Sequence, residues 1–216
     1  MENKIFLSEN EKRELLRLSR SVIETFLSDC NAAGKEPRSE TRSDIAFFVE
    51  SFLENYDYRK IPVLNKSLSC FVTLNERNND IEKEQLRGCI GSLQPQKNEL
   101  LVENLTRNSI MAAFYDYRFP PVSMDELSLI IIEISILSKP VEIYYDSLDE
   151  LINKIDKKGV VLEYGYTSAT FLPQVWESLP NPIDFLTHLA IKAGLSPEKY
   201  QEANYKVYDV YSFSEK

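Results

Sequence analysis

Residues 127–137, LSLIIIEISIL, alternate regularly enough to fix both a local conformation and the side of it that must be buried. At the two-residue period of a strand, Ile130, Ile132, Ile134 and Ile136 fall on one face, and Leu129, Ile131, Glu133 and Ser135 on the other. A face of isoleucines has to be core, so a chain carrying this segment must build a sheet around it. The second face turns polar halfway along, as at the edge of a cleft or a solvated end. Glu133 is the charge that breaks it. It either pairs with an arginine across the sheet, Arg87 being the leading candidate, or serves as an acid/base group in a cleft.

The rest of the chain supplies partners for that strand. Cys70-Phe71-Val72-Thr73-Leu74 is β-rich, and residues 86–91 read as its antiparallel neighbour. The polar segment between them, 75–85, reads as a mobile loop. Ser8 and Glu11 stand at capping-box spacing, and Leu15, Leu18, Val22 and Phe26 follow at helical spacing, which predicts a helix over 8–29. Gly34 and Pro37 break it. A second helix is expected over 43–56, and a third, carrying Leu101, Leu105 and Ile110, ends near Tyr115. Residues 147–155 predict a short helix, 159–164 and 167–171 a hairpin across Gly165. Asn181 caps a helix with Pro182 in its first turn and Gly194 beyond its end. Residues 205–213 alternate and are expected to close the sheet. Several connections are too short for crossovers, so the fold class is α+β, a mostly antiparallel sheet packed with helices. Residues 1–60 form a mainly helical part and 68–213 the sheet region.

Composition excludes more than it assigns. The 216 residues carry 25 Lys and Arg against 34 Asp and Glu, a net charge of −9. Such a surface repels phosphate backbones and anionic lipid, so nucleic acid and membrane are not expected partners. The three cysteines, Cys30, Cys70 and Cys89, form no Cys-x-x-Cys pair, and there is one histidine, so no metal site and no cofactor is expected. The sparse, odd thiol count, the absence of a signal-like N-terminus and the lack of a ~20-residue apolar run point to a cytoplasmic protein.

The densest chemistry lies in Leu86-Arg87-Gly88-Cys89-Ile90-Gly91. Glycine weakens a strand interior and needs a reason there, such as a bulge or a close approach. On a regular strand Arg87 and Cys89 share a face, and a cation beside a thiol favours the reactive thiolate. The other reading has Cys89 filling a small core space and Gly88 making a bulge.

This segment, LRGCIGSL at 86–93, resembles the hallmark of the AMMECR-one domain family (named from the Alport syndrome, midface hypoplasia and elliptocytosis chromosomal region). The resemblance extends in order through FVTL at 71–74, AAFYDYRFPPV at 112–122, IEISILS at 132–138, ATFLPQVW at 169–176 and KAGL at 192–195. The wording FLPQVWESLP is most similar to the prokaryotic branch called AmmeMemoRadiSam system protein A. The resemblance implies a single domain over 1–216 with two lobes, the larger holding the main sheet, and no established activity. The branch name implies association with a Memo-like protein and a radical S-adenosylmethionine protein. Three points depart from the family: 43–58 is longer, Cys70 stands where relatives often have Gly or Ala before FVTL, and Asp156-Lys157-Lys158 stands where relatives tend to carry a Pro-Gly-type turn and an Asp.

Further candidates follow from residue type. Asp116 and Arg118 precede Phe119-Pro120-Pro121 and either staple a loop together or hold a substrate carboxylate or phosphate. Trp176 reads as a packing anchor between lobes, with Gln174 a polar contact, and His188 as a partly buried, hydrogen-bonded residue. Three functions stay open: an accessory or interaction protein; a thiol enzyme in which Cys89 attacks an electrophile, Glu133 or Asp116 moves a proton and Arg87 or Arg118 holds a small anion; and a small-molecule binder without turnover.

Overall fold

The computed structural model describes residues 6–77 and 85–215. In chain order the main elements are α1 (Glu9–Ala32), α2 (Arg42–Glu54), β1 (Ser69–Glu76), β2 (Gln85–Gly91), α3 (Leu101–Ile110), β3 (Ile130–Leu137), β4 (Val141–Ile143), α4 (Leu148–Ile155), β5 (Gly159–Tyr164), β6 (Thr167–Phe171), α5 (Val175–Ser178), α6 (Pro182–Lys192), β7 (Asn204–Tyr208) and β8 (Val210–Ser214). They form an α+β fold with two compact units, one holding the described residues up to Ile136 together with 211–215, the other Leu137–Val210. The expected mobile loop between β1 and β2 lies largely at 78–84, outside the described residues.

The first unit is built on the isoleucine strand. Its sheet runs β2-β1-β3-β8, with β2 at one edge. Ile132, Ile134 and Ile136 are fully buried and Ile130 is 5% exposed, alongside Cys70, Val72 and Leu74 from β1. Helix α1 begins with the Ser8–Glu11 capping box and buries Leu15, Leu18, Val22 and Phe26. Helix α2 starts with a second capping box, Thr41–Asp44, which satisfies two amides that would otherwise be orphaned at the helix start. A polar lock fastens α3 to β1: Asn104 Oδ1 accepts from Cys70 N–H (2.9 Å), and Asn108 Nδ2 donates to Cys70 C=O (3.0 Å). Asn104 Nδ2 donates in turn to Glu99, which pairs with Arg107. These buried polar groups are satisfied, so they specify the helix register at little cost.

The second unit has its own sheet, β4-β7-β5-β6, with the β4–β7, β5–β7 and β5–β6 pairs antiparallel. The β5–β6 hairpin turns at Gly165, whose φ of 58° is the left-handed conformation glycine supplies without strain. Asn181 Oδ1 accepts from Ile183 N–H and Asp184 N–H to start α6. Trp176, expected as a packing anchor, packs within this unit's own core: it stacks on Phe185 at 3.9 Å and donates Nε1–H to Lys158 C=O (2.9 Å).

Residues 205–213 do not form one closing strand. They split at Asp209 into β7, in the second unit's sheet, and β8, in the first unit's. Alternation carries straight across the break because both strands keep the same period. What breaks them is Asp209, whose N–H turns to Ser138 Oγ and whose C=O accepts from Ser138 N–H.

Candidate functional site

Strand β2 and the segment after α3 form one site. Opposite Leu74 stands Gly88 and opposite Asn75 stands Leu86, so Arg87 is an extra residue and β2 bulges there. The glycine of the bulge is explained by its neighbour: a Cβ on Gly88 would lie 2.3 Å from Ala112 C=O. One at Gly91 would lie 2.3 Å from the Phe71 ring. Ala112 belongs to a π turn, Met111–Tyr115, which widens the end of α3 and lets its backbone press on β2.

The bulge corrects the expectation that Arg87 and Cys89 share a face. Arg87 is buried, and its guanidinium is committed to groups other than the thiol. Its Nε donates to Glu126 Oε1 (2.7 Å) and its Nη2 to Pro121 C=O (3.3 Å). Its carboxylate partner is therefore Glu126, not Glu133. Burial works against the Glu126 charge, but the Arg87 guanidinium and the Ser123 N–H outweigh it and hold the carboxyl below its usual range.

Beyond the π turn, Asp116 is 2% exposed and fully engaged. Its Oδ2 accepts from Cys89 N–H (2.9 Å) and Arg118 Nη2 (2.6 Å), and its Oδ1 from Arg118 Nε (2.9 Å) and Arg118 N–H (3.1 Å). Arg118 Nη2 also reaches Cys89 C=O at 3.4 Å. The Asp116–Arg118 pair thus covers the outward N–H and C=O of an edge strand, where another strand would otherwise bond. The Arg118 hydrogen bond, against the opposing effect of burial, holds the Asp116 carboxyl down at about 2. Arg38 donates to the carbonyls of Phe114, Asp116 and Phe119, pinning the loop from the other side. Both Arg87 and Arg118 lie within 6.0 Å of the Phe119 ring. Between the clamped residues Tyr117 stands 90% exposed.

The thiol belongs to a different group. Thr73 Oγ1–H donates to Cys89 Sγ at 3.3 Å, on the sheet face opposite the isoleucine core. The Arg77 N–H bond to Leu129 C=O sets a β1–β3 register that carries Thr73 opposite Glu133, four residues further along each strand. Cys89, Thr73 and Glu133 therefore form a row across three neighbouring strands. Cys89 and Glu133 are both half-buried.

Sequence reasoning singled out Arg87, Cys89, Asp116, Arg118 and Glu133, and all lie in the first unit. Gln174 is exposed and belongs to the second unit, as does His188, which is exposed rather than partly buried and bonds Asp184 C=O through Nδ1 (2.8 Å). Missed were Glu126, signalled by the Ser123-x-x-Glu126 spacing, and Arg38, whose carbonyl partners leave no mark in sequence. Thr73 was visible only as a strand former. Among the described residues no three His, Cys, Asp or Glu side chains group as a metal site, and no helix is long and apolar enough to cross a membrane.

The AMMECR1 family model matches residues 16–214. A protein of Methanosarcina mazei is 37% identical over 197 residues, covering 90% of this chain and 85% of the relative. Protein MJ0810 of Methanocaldococcus jannaschii is 34% identical, covering 89% and 83%. The crystal structure of an uncharacterized protein of Pyrococcus horikoshii, PH0010, superposes with a TM-score of 0.69 at 29% identity, over 97% of this chain and 94% of that one.

Proposed function

The chain belongs to the AMMECR1 family, and from that premise and the clamped loop we propose that it acts as an accessory or interaction protein, alongside a Memo-like protein and a radical S-adenosylmethionine protein. The observation that carries this reading is the Asp116 clamp. Asp116 and Arg118 satisfy each other and the edge of β2, and Arg87 satisfies Glu126, so these charges build a rigid platform. On that platform Tyr117 is held out to solvent, 90% exposed. A rigid exposed aromatic loses little freedom on contact, which is the profile of an interface anchor. The test is calorimetric titration of the wild-type chain and Tyr117→Ala with the purified Memo-like and radical proteins of the same genome. Binding weakened about tenfold or more by the substitution, with an unchanged melting temperature, supports the reading. Binding to neither protein, or equal binding by the variant, refutes it.

A second reading rests on the Cys89–Thr73–Glu133 row, which suits a thiol enzyme acting on a small anionic substrate with Glu133 moving the proton. Burial pushes the Cys70 thiol up to about 12 and also raises Cys30, so both stay protonated at neutral pH. The reading expects iodoacetamide to modify Cys89 first, by peptide mapping. Alkylation of Cys70 or Cys30 ahead of Cys89 removes it.

A further inference from the structure

Helices α1 and α2 of the first unit leave a groove between them that neither the clamped loop nor the thiol row uses. Two adjoining cavities of about 290 Å³ each share Asp29, Phe48 and Ser51 along it. From α2 its walls take positions 44, 47, 48, 51 and 52, one helical face running about 12 Å at 1.5 Å per residue, and Asn55 and Tyr56 continue the wall just past the helix end. That face is aromatic. Phe26, Phe48, Phe52 and Tyr56 follow one another at centroid distances of 5.1, 5.8 and 6.1 Å, and Phe47 is 73% exposed at one end. Of the face, only the flanking Ile45 and Leu53 are turned fully into the core. The rim is acidic: Asp29, Glu40 and Asp44 against Lys35, which already pairs with Glu40 at 2.9 Å.

We propose that the α1–α2 groove docks an amphipathic helix of a partner protein, apolar at i, i+3, i+4 and i+7 and flanked by lysine or arginine. Length, apolar floor and acidic rim each select for that occupant. A helix of two to three turns matches the run from Asp44 to Tyr56, its apolar stripe covers the phenylalanines, and its cations meet Asp29 and Asp44. A second copy of this chain is disfavoured because the groove is acidic and the whole chain carries −9. The proposal deepens the interaction reading by naming the chemistry of a partner segment. It is tested without the Memo-like or radical proteins, so either idea can fail alone.

The probe is an 18-residue fluorescein-labelled peptide of leucine and lysine in that pattern, followed by anisotropy at physiological salt, with a leucine–glutamate peptide of the same pattern as control. The lysine peptide is expected to saturate with a Kd on the order of 10 μM. Phe47→Ala and Asp29→Lys, both at exposed positions, are expected to weaken it about tenfold each, and Glu198→Lys, an exposed acid of the other unit, to leave it unchanged. Hydrogen-exchange protection should be confined to 25–40 and 44–56. Equal weakening by Glu198→Lys, equal binding of the glutamate peptide or protection elsewhere would overturn the proposal. So would saturable spermidine binding of matching affinity, or a dimer of the free chain abolished by Phe47→Ala, since these give the groove to a small cation or a second copy.

Discussion

Replacing Asp116 by Asn tests the clamp where its energetics are best defined. The carboxylate accepts from Cys89 N–H and from three donors of Arg118, and its pKa falls from 3.8 to about 2. A fall of that size corresponds to about 2 kcal/mol of stability from the ionised form. Removing one partner of a fully buried pair costs more, about 3–5 kcal/mol, but the Arg118 side chain is 44% exposed and regains water. The expected loss for Asp116→Asn is therefore about 2 kcal/mol at pH 7, read from urea unfolding with an unchanged slope. The sign of the pH dependence is fixed by the depressed pKa. The contribution is full above the unfolded value of 3.8 and disappears as pH falls through the folded value near 2, so the gap between wild type and variant stays flat down to about pH 5 and halves near pH 3. A variant as stable as wild type at pH 7, or a gap that does not narrow between pH 5 and pH 3, would refute the clamp.

Three further substitutions follow from geometry. Gly88→Ala sets a methyl 2.3 Å from the Ala112 carbonyl, where both sides are backbone, and should cost about 3 kcal/mol or more by thermal unfolding. Lys157→Gly should raise stability by about 1 kcal/mol, because Lys157 has φ 56° in the turn before β5 and glycine removes that strain at some cost in unfolded-state entropy. Glu215→Gln should lose about 1–2 kcal/mol in denaturant, since the carboxylate takes Arg20 Nε (2.8 Å), Arg20 Nη2 (2.5 Å) and Ile132 N–H (2.9 Å) and ties β8 to β3 and α1.

Much of the fold was legible because one force wrote it. Burial of apolar faces left the two-residue period of β3, the helical spacing of α1 and the β5–β6 hairpin in plain view. Caps were legible where residue types are selective, at Ser8 and Asn181, and Thr41–Asp44 carried the same signal unread. The split at Asp209 was hidden, since two strands of one period joined by a single residue look like one long strand. At the site, sequence spacing gathered the residues but misassigned their partners. The two-residue rule put Arg87 beside Cys89, and the bulge at Arg87 cancelled it. Glu133 and Arg87 were paired by charge, whereas Glu126 wins through a loop whose path is set by Arg38 holding three backbone carbonyls. Such backbone contacts depend on tertiary position and leave no periodic trace.

If the clamped loop is a contact surface, a partner must cover it. Hydrogen exchange of the full chain, measured alone and with the purified Memo-like and radical S-adenosylmethionine proteins, tests it most directly. A partner is expected to slow exchange in peptides spanning 114–123, and Tyr117→Ala to abolish the protection while leaving the exchange of β1 and β3 as in wild type. Protection in which 114–123 takes no part, or none with either protein, would contradict it.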